Sequence, residues 1–351
     1  MILNNKQFGW SEQRQQEWEQ LQLDECIPGR VVLEHKRMYR VMTTEGELLS
    51  EVSGKLAFDS IERTDYPAVG DWVAVTVRKG EGKAIIHAVL TRSSQFSRKA
   101  AGYTYEEQLV AVNVDTLFIV TALTKDFNPR RIERYVLLAY ESGASPVVLL
   151  SKLDLCSEAE ELVKEVEVAC PGVPVHAISA LTGEGMEQLS DYLTQGKTVA
   201  LLGSSGAGKS SITNALMSED VQKVKETRSS DDRGKHTTTH RELFWLPSGT
   251  GLIDTPGMRE IQLLGAEEGM EQSYNDIYQL AEECRFNDCA HNQEPGCRVQ
   301  EAIELGELSE QRYQGYLKLL REQAYAKRQV DKRAMIQEKK RWKQITKSQR
   351  K

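Results

Sequence analysis

Residues Gly203-Ser204-Ser205-Gly206-Ala207-Gly208-Lys209-Ser210 spell G-x-x-x-x-G-K-[ST] without a mismatch, a pattern that few folds accommodate. The glycines let the backbone curl until successive N–H groups converge on phosphate oxygens. A helix N-terminus behind them adds partial positive charge. The flanks agree: apolar Thr198-Val199-Ala200-Leu201-Leu202 enters the loop, and Ser211-Ile212-Thr213-Asn214-Ala215-Leu216 leaves it with helical character. Strand, loop and helix together demand an α/β domain around a largely parallel sheet. In this setting Lys209 reaches the β- and γ-phosphates of a nucleotide, and the Ser210 hydroxyl ligates Mg²⁺. A bare glycine-rich turn would account for none of this context.

Further strands are expected at Thr116–Val120, Pro146–Leu150, Val175–Ile178, Leu243–Leu246 and Gly251–Ile253, with helices near 129–142, 157–170, 184–194 and 209–217. Asp254-Thr255-Pro256-Gly257 closes the last of these strands as D-x-x-G. Asp254 is expected to hold Mg²⁺, directly or through water, and Gly257 to place its N–H on the γ-phosphate. Between loop and D-x-x-G lies Arg233-Gly234-Lys235-His236-Thr237-Thr238-Thr239. Thr238 or Thr239 is expected to ligate Mg²⁺ and sense the γ-phosphate; spacing does not decide between them.

Nothing after D-x-x-G suits base recognition. Upstream, Ser151-Lys152-Leu153-Asp154 follows an apolar strand and is similar to N-K-x-D. An Asp there accepts from guanine N1–H and the 2-amino group, a donor pair that adenine lacks. The Lys stem lies over the base. Farther on, Ser179-Ala180-Leu181-Thr182-Gly183-Glu184-Gly185 is similar to a second guanine loop, with the Ala180 N–H on the base oxygen. Ser151 stands where Asn usually braces the base loop against the phosphate loop. Serine keeps an oxygen but loses reach, so weaker nucleotide affinity is expected. The order is thus base loop, base loop, phosphate loop, threonine switch, D-x-x-G: a circular permutation. The cofactor-binding set is Ser151, Lys152, Leu153, Asp154, Ser179, Ala180 and the run Gly203 to Ser211, with Mg²⁺ on Ser210, Thr238 and Asp254.

Of six cysteines, Cys284, Cys289 and Cys297 cluster with His291 as C-x4-C-x-H-x5-C. Three thiolates and one imidazole make a closed tetrahedral Zn²⁺ site with no open position, hence a structural one. A disulfide framework does not suit a long chain with one tight cluster.

Residues 30–95 alternate apolar and polar in short runs, as in a barrel of about five strands such as an OB-fold. Before them lies a polar helix with Trp18, Leu21 and Leu23 as docking residues. The formal net charge of −7 hides a basic arm: residues 318–351 carry 13 Lys and Arg against 3 Asp and Glu. A basic arm on an acidic body suggests nucleic acid. No apolar run approaches a membrane span, and the N-terminus lacks a secretory pattern, so the chain is read as cytoplasmic; separately, it is expected to be a monomer. The expected division is 1–26 helical extension, 27–98 OB-fold barrel, 105–265 permuted nucleotide domain, 266–320 helical zinc-binding domain and 321–351 basic helical tail.

With these motifs in this order, the chain resembles the bacterial small-ribosomal-subunit biogenesis GTPase family RsgA (also YjeQ or EngC), over about residues 27–320. The resemblance implies an OB-fold, a permuted P-loop GTPase and a zinc domain. It also implies hydrolysis of GTP to GDP and phosphate, late maturation of the 30S subunit through its 16S rRNA, and stimulation by that subunit. The rivals are a P-loop ATPase or kinase, separable by base competition, and a catalytically idle nucleotide-dependent RNA-binding module, separable by multiple-turnover phosphate release.

Many GTPases place a glutamine after D-x-x-G to orient the attacking water; here the residue is Met258, which cannot. Slow hydrolysis by the isolated chain follows, because positioning supplies much of phosphoryl-transfer catalysis. His236, beside the switch threonines, is the candidate for the missing polar group. His236→Ala is expected to keep GTP and 30S binding while single-turnover, 30S-stimulated hydrolysis collapses. Stimulation at the wild-type level would place the water-orienting group elsewhere.

Overall fold

Five strands with alternating apolar residues curl into a barrel: β1 (Ile27–His35), β2 (Met38–Thr43), β3 (Gly46–Val52), β4 (Trp72–Arg78) and β5 (Lys83–Val89). The structure is a computed structural model that describes residues 8–23, 25–35, 38–78, 80–99, 107–125, 127–218, 242–254, 270, 273–286, 288–291 and 294–321. The strand order is β1-β2-β3-β5-β4, and β4 returns to β1. The β3–β5 pair is parallel and the others are antiparallel. This is the closed OB-type arrangement expected from the alternation. Val31, Tyr39, Val41, Leu48, Val73, Val75, Ala84 and Ile86 fill the interior. A bulge between Val31 and Leu33 bends β1, as a closing sheet requires. The short helix α2 (Gly54–Asp59) follows β3, its first turn capped where the Ser53 hydroxyl accepts from the Leu56 N–H.

A hairpin that the sequence did not signal comes next, β6 (Gln95–Lys99) with β7 (Glu107–Val112). Its ladder runs across the break expected between 98 and 105. Ala68 of the barrel packs on Leu109 and Val112, and the Val112 N–H donates to the Val69 carbonyl. Barrel and nucleotide domain therefore share a seam and one compact unit, Met1–Gln262.

The nucleotide domain is built on β8 (Thr116–Ala122), β9 (Ser145–Ser151), β10 (Val175–Ile178), β11 (Thr198–Gly203), β12 (Glu242–Trp245) and β13 (Gly251–Asp254). The order is β10-β9-β8-β11-β13-β12, parallel except for β12, which runs antiparallel to β13 and also pairs with β1 of the barrel at Leu33 and Glu242, so that one sheet runs through both domains. Fully buried strands such as β8 (TLFIVTA) and β9 explain the near-continuous apolar runs. Helices α3 (Pro129–Glu141), α4 (Ala159–Ala169) and α5 (Lys209–Ser218) connect them. Asn128 caps α3, and Pro129 begins it. The helix expected at 184–194 is instead a single 3-10 turn, Met186–Leu189. Gly185 at φ 75 starts it, and i to i−3 bonds continue through Tyr192 and Leu193. That turn is enough to bury Met186 and Leu189, so the apolar spacing did not require a longer helix.

The N-terminal segment straps the two domains. Its helix α1 (Glu12–Leu21) is capped by Ser11 and is polar, so docking comes from few residues. Trp18 and Leu21 dock as expected, joined by Phe8 and Trp10 against Trp72, Leu90 and Trp245. The Phe8 ring stands edge-on to Trp245 at 4.7 Å and Trp10 to Trp72 at 4.9 Å. The Glu17 carboxylate accepts from both the N–H and the hydroxyl of Thr91, each at 2.7 Å.

The second unit, Leu263–Lys351, holds α6 (Asn275–Glu282), α7 (Arg298–Glu304) and a helix at 310–321. The nearly buried Arg312 forks onto the Asp276 carboxylate at 2.7 and 2.8 Å and donates to the Ser273 carbonyl at 2.7 Å. Its guanidinium lies 4.7 Å from the Tyr274 ring centroid. Such bidentate pairs fix orientation as well as adding energy. The basic arm from 322 onward lies outside the described residues. No described helix is long and apolar enough to cross a membrane.

Candidate nucleotide and metal sites

The phosphate loop grows from the packing of β11. Val199 and Leu201 point into the core with Phe118, Val120, Leu149, Ala207 and Ile212, so the strand end is held on both sides of the loop. Gly203 ends the strand because a Cβ there would stand 2.2 Å from the Val120 carbonyl oxygen. Gly208, at φ 92, turns the chain into α5, a conformation that favours glycine. Ala207 is buried, and the Ile212 N–H closes the first helical turn on the Gly208 carbonyl at 2.9 Å. Ser204, Ser205 and Gly206 form the loop proper, and Ser210 and Ser211 lie in the first turn of α5. The Lys209 ammonium lies across the loop, donating to the Gly203 and Ser204 carbonyls at 2.7 Å each. This holds the only loop cation at the loop's own mouth.

Ser151 corrects the expectation of lost reach. Its hydroxyl, buried at the end of β9, donates to the Ala207 carbonyl at 2.5 Å and lies 3.4 Å from the Thr121 carbonyl. It also sits close under Gly208, where a Cβ would come within 3.5 Å of its Oγ. Serine thus braces the phosphate loop directly, because β9 and β11 approach closely enough on either side of β8. Lys152 follows in the left-handed region at φ 63, ψ 41, and begins the 3-10 turn Leu153–Leu155. A non-glycine residue there stores strain of about 1–2 kcal/mol. The turn sets Asp154 beside the second base loop.

Asp154 and Ser179, 25 residues apart, meet: the Ser179 hydroxyl donates to Asp154 Oδ1 at 2.5 Å. The same hydroxyl oxygen accepts from the Thr182 N–H at 3.2 Å, and the Ser179 N–H donates to the Glu184 carbonyl at 2.8 Å. Ser179 is fully buried. It therefore fixes both the loop that carries Ala180 and the plane of the Asp154 carboxylate. Nothing in its spacing marked Ser179 for the second task. The two upstream base-loop motifs and the phosphate loop thus gather at the C-terminal ends of β9, β10 and β11, in the permuted order. Asp254 ends β13, the strand paired with β11. His236, Thr238, Thr239 and Gly257 lie outside the described residues.

In the second unit Cys284, Cys289, His291 and Cys297 bring their ligand atoms within 4.8 Å of one another. Cys284 Sγ is 3.6 Å from His291 Nδ1 and 4.0 Å from Cys297 Sγ, and His291 Nδ1 is 3.4 Å from Cys297 Sγ. The sulfurs are too far apart for a disulfide. A tetrahedral zinc would need edges of about 3.5–3.8 Å, so these residues fit that metal. The scaffold is specific. His291 is left-handed at φ 56, and its carbonyl accepts from Gln300 Nε2 at 2.7 Å and the Tyr313 hydroxyl at 3.3 Å. Cys297 begins α7. Gln300 and Tyr313 lie beyond the motif, and no spacing signal pointed to them.

Comparison with known proteins agrees with this geometry. Residues 89–264 match the family model described as RsgA GTPase. A curated relative from Opitutus terrae, named small ribosomal subunit biogenesis GTPase RsgA, is 44% identical over 98% of this chain and 96% of its own. One of the same name from Xanthomonas axonopodis pv. citri is 46% identical over 86% and 82%. Among solved structures, YjeQ from Thermotoga maritima superposes with TM-score 0.65 at 29% identity, covering 85% of this chain and 98% of its own. YloQ, described as a circularly permuted GTPase, superposes with TM-score 0.62 at 22% identity, covering 87% and 96%, a likeness of fold. With a family model spanning half its length and relatives this similar over nearly all of it, the chain belongs to the RsgA GTPase family.

Proposed function

We propose that the chain is a Mg²⁺-dependent GTP hydrolase that acts on the small ribosomal subunit during its late maturation, contacting 16S rRNA. Two side-chain bonds carry this conclusion: Ser151 to the Ala207 carbonyl, spanning 56 residues, and Ser179 to Asp154. They join base loop to phosphate loop and base loop to base loop although the motifs are permuted. The partner comes from the name borne by the relatives, small ribosomal subunit biogenesis GTPase.

In this assignment Asp154 accepts from guanine N1–H and the 2-amino group, with Ser179 holding the carboxylate plane. Lys152 covers one face of the base, Leu153 supports the turn, and the Ala180 N–H meets the base carbonyl. Backbone N–H groups from Gly203 to Ser211 take the phosphates, and Lys209 turns from its loop carbonyls to the β- and γ-oxygens. Ser210, Asp254 and Thr238 or Thr239 would hold Mg²⁺, which when bound offsets phosphate charge. Ser210 and Asp254 suit this role because they follow adjacent parallel strands, β11 and β13. Gly257 and His236 complete the γ-phosphate and water contacts. The barrel (27–98), the zinc domain (266–320) and the basic tail (321–351) share RNA contact, where phosphate backbone dominates affinity.

Phosphate release with and without purified 30S subunits tests the activity. Turnover with GTP is expected to be slow alone and to rise by about tenfold or more with 30S. Asp154→Asn is expected to lose GTP binding by about a hundredfold and to gain preference for xanthosine triphosphate. Equal turnover with ATP, or unchanged GTP preference in the variant, would count against the assignment.

Ser151→Ala removes the brace and leaves the Ala207 carbonyl without its partner. GDP affinity is expected to fall about five- to tenfold, the equivalent of about 1–1.4 kcal/mol, read by competition binding. Unchanged affinity would show that the bond does not shape the loop.

One structural Zn²⁺ per chain on Cys284, Cys289, His291 and Cys297 is expected by metal analysis of protein purified without added zinc. Cys297→Ser should lose the metal and melt the second unit, while nucleotide binding in the first unit stays largely intact. Full metal content in that variant means a different ligand set.

A further inference from the structure

The end of the nucleotide sheet opposite the phosphate loop holds a second cleft. β11 begins at Thr198, which lines this cleft, and ends at Gly203 in the loop; at about 3.3 Å per residue the two sites stand some 17 Å apart. The cleft encloses about 400 Å³, a size suited to a small ligand. The strap contributes Trp10 and Arg14, and the barrel contributes Arg30 and Trp72. Gly196 and Lys197 complete it from the turn before β11.

Its charge is unbalanced in one place. Arg14 and Arg30 both lie against the Trp72 ring, 5.9 and 5.5 Å from its centroid. Arg30 is 2% exposed. It donates to the Phe8 carbonyl at 2.5 Å, Thr198 Oγ1 at 2.7 Å, and the Gly70 and Asn113 carbonyls at 3.4 Å. Those bonds use four of its five N–H groups. Arg14 donates to Asn113 Oδ1 at 3.3 Å. Among the described residues neither guanidinium touches a carboxylate.

Glu17 and Asp115 line the cleft and the buried Asp71 stands behind Arg92; each is bonded to a group other than Arg14 or Arg30. Asp71 holds Arg92 in a fork at 2.8 and 2.7 Å. Asp115 takes Lys197 Nζ at 3.0 Å and the Thr198 N–H at 2.8 Å. Glu17 is bound to Thr91. The buried Trp72 indole N–H has no acceptor among the described residues. Burial first, and the Arg14 charge next, lower Arg30 to about 9, against a smaller opposing pull from Asp115 and Asp71. Two like charges packed on one ring with donors to spare favour an anion between them.

We propose that this cleft binds a free phosphate ester of nucleotide size. Its phosphate oxygens are taken by Arg14 and the remaining Arg30 N–H, and its flat portion lies against Trp10. An occupant would fasten strap, barrel and the start of β11 to one another, at a site separate from the phosphate loop.

The test uses the full chain saturated with GDP and Mg²⁺, so that the phosphate loop is filled. AMP, inorganic pyrophosphate and inorganic phosphate are then titrated separately by calorimetry. One additional site per chain is expected for AMP. Pyrophosphate binding as tightly as AMP would make the phosphate alone sufficient, and AMP binding more tightly would assign part of the affinity to the base; either supports the site. Arg14→Gln, on a half-buried side chain of a surface helix, should leave thermal unfolding unchanged and weaken the additional site by about tenfold or more. Lys209→Ala, titrated without GDP, should retain it. No additional site at millimolar ligand, equal affinity in Arg14→Gln, or loss in Lys209→Ala would overturn the proposal. The Lys209→Ala arm also separates this result from any failure of the GTPase assignment.

Discussion

The Arg30 guanidinium sits where strap, barrel and nucleotide sheet meet, and the arrangement of the first unit depends on it. It binds the carbonyls of Phe8, Gly70 and Asn113 and the Thr198 hydroxyl at the root of β11. A buried cation bonded mainly to backbone carbonyls is tolerable only when every neighbour is in register. Asn113 extends the junction. At φ 55, its side-chain oxygen accepts from Ser93 and Arg14 while its amide donates to the Gly70 carbonyl. The strand that ends in the phosphate loop therefore starts at a point clamped by the barrel.

At the other end of the same sheet, tension is carried by short hydroxyl bonds. Ser151 and Ser179 have little rotamer freedom to lose. One oxygen each is enough to bind base loop to phosphate loop and base loop to base loop. The result is a site whose parts move as a unit, although its segments come from three separate stretches of chain. The metal knuckle follows the same economy: a strained His291 is held through its carbonyl by Gln300 and Tyr313.

Most of this architecture was legible because it depends on local pattern. Alternation marked each barrel strand, apolar runs marked the parallel strands, and the loop and knuckle announced themselves by spacing. What escaped depends on distant partners. β6 carries a single apolar residue, Phe96, in a polar run, so only its pairing with β7 makes it a strand. Met186 and Leu189 had helical spacing, but a glycine start and one 3-10 turn satisfy their burial. Trp18 and Leu21 were recognisable as docking residues, whereas Phe8 and Trp10 gain meaning only from Trp245 and Trp72. The reach of Ser151 escapes for the same reason: it depends on how closely two strands approach, which no motif encodes.

The permuted sheet also sets the sequence of events at the ribosome exit. β8, α3, β9, α4 and β10 are consecutive in the chain and adjacent in the sheet, so this half has short-range contacts and can condense early. β11 then emerges and adds to the exposed edge of β8, not to β10, the strand made just before it. The phosphate loop is thus laid onto a template that is already formed. A nascent chain of this design completes its base-reading surface before it acquires the means to hold a phosphate.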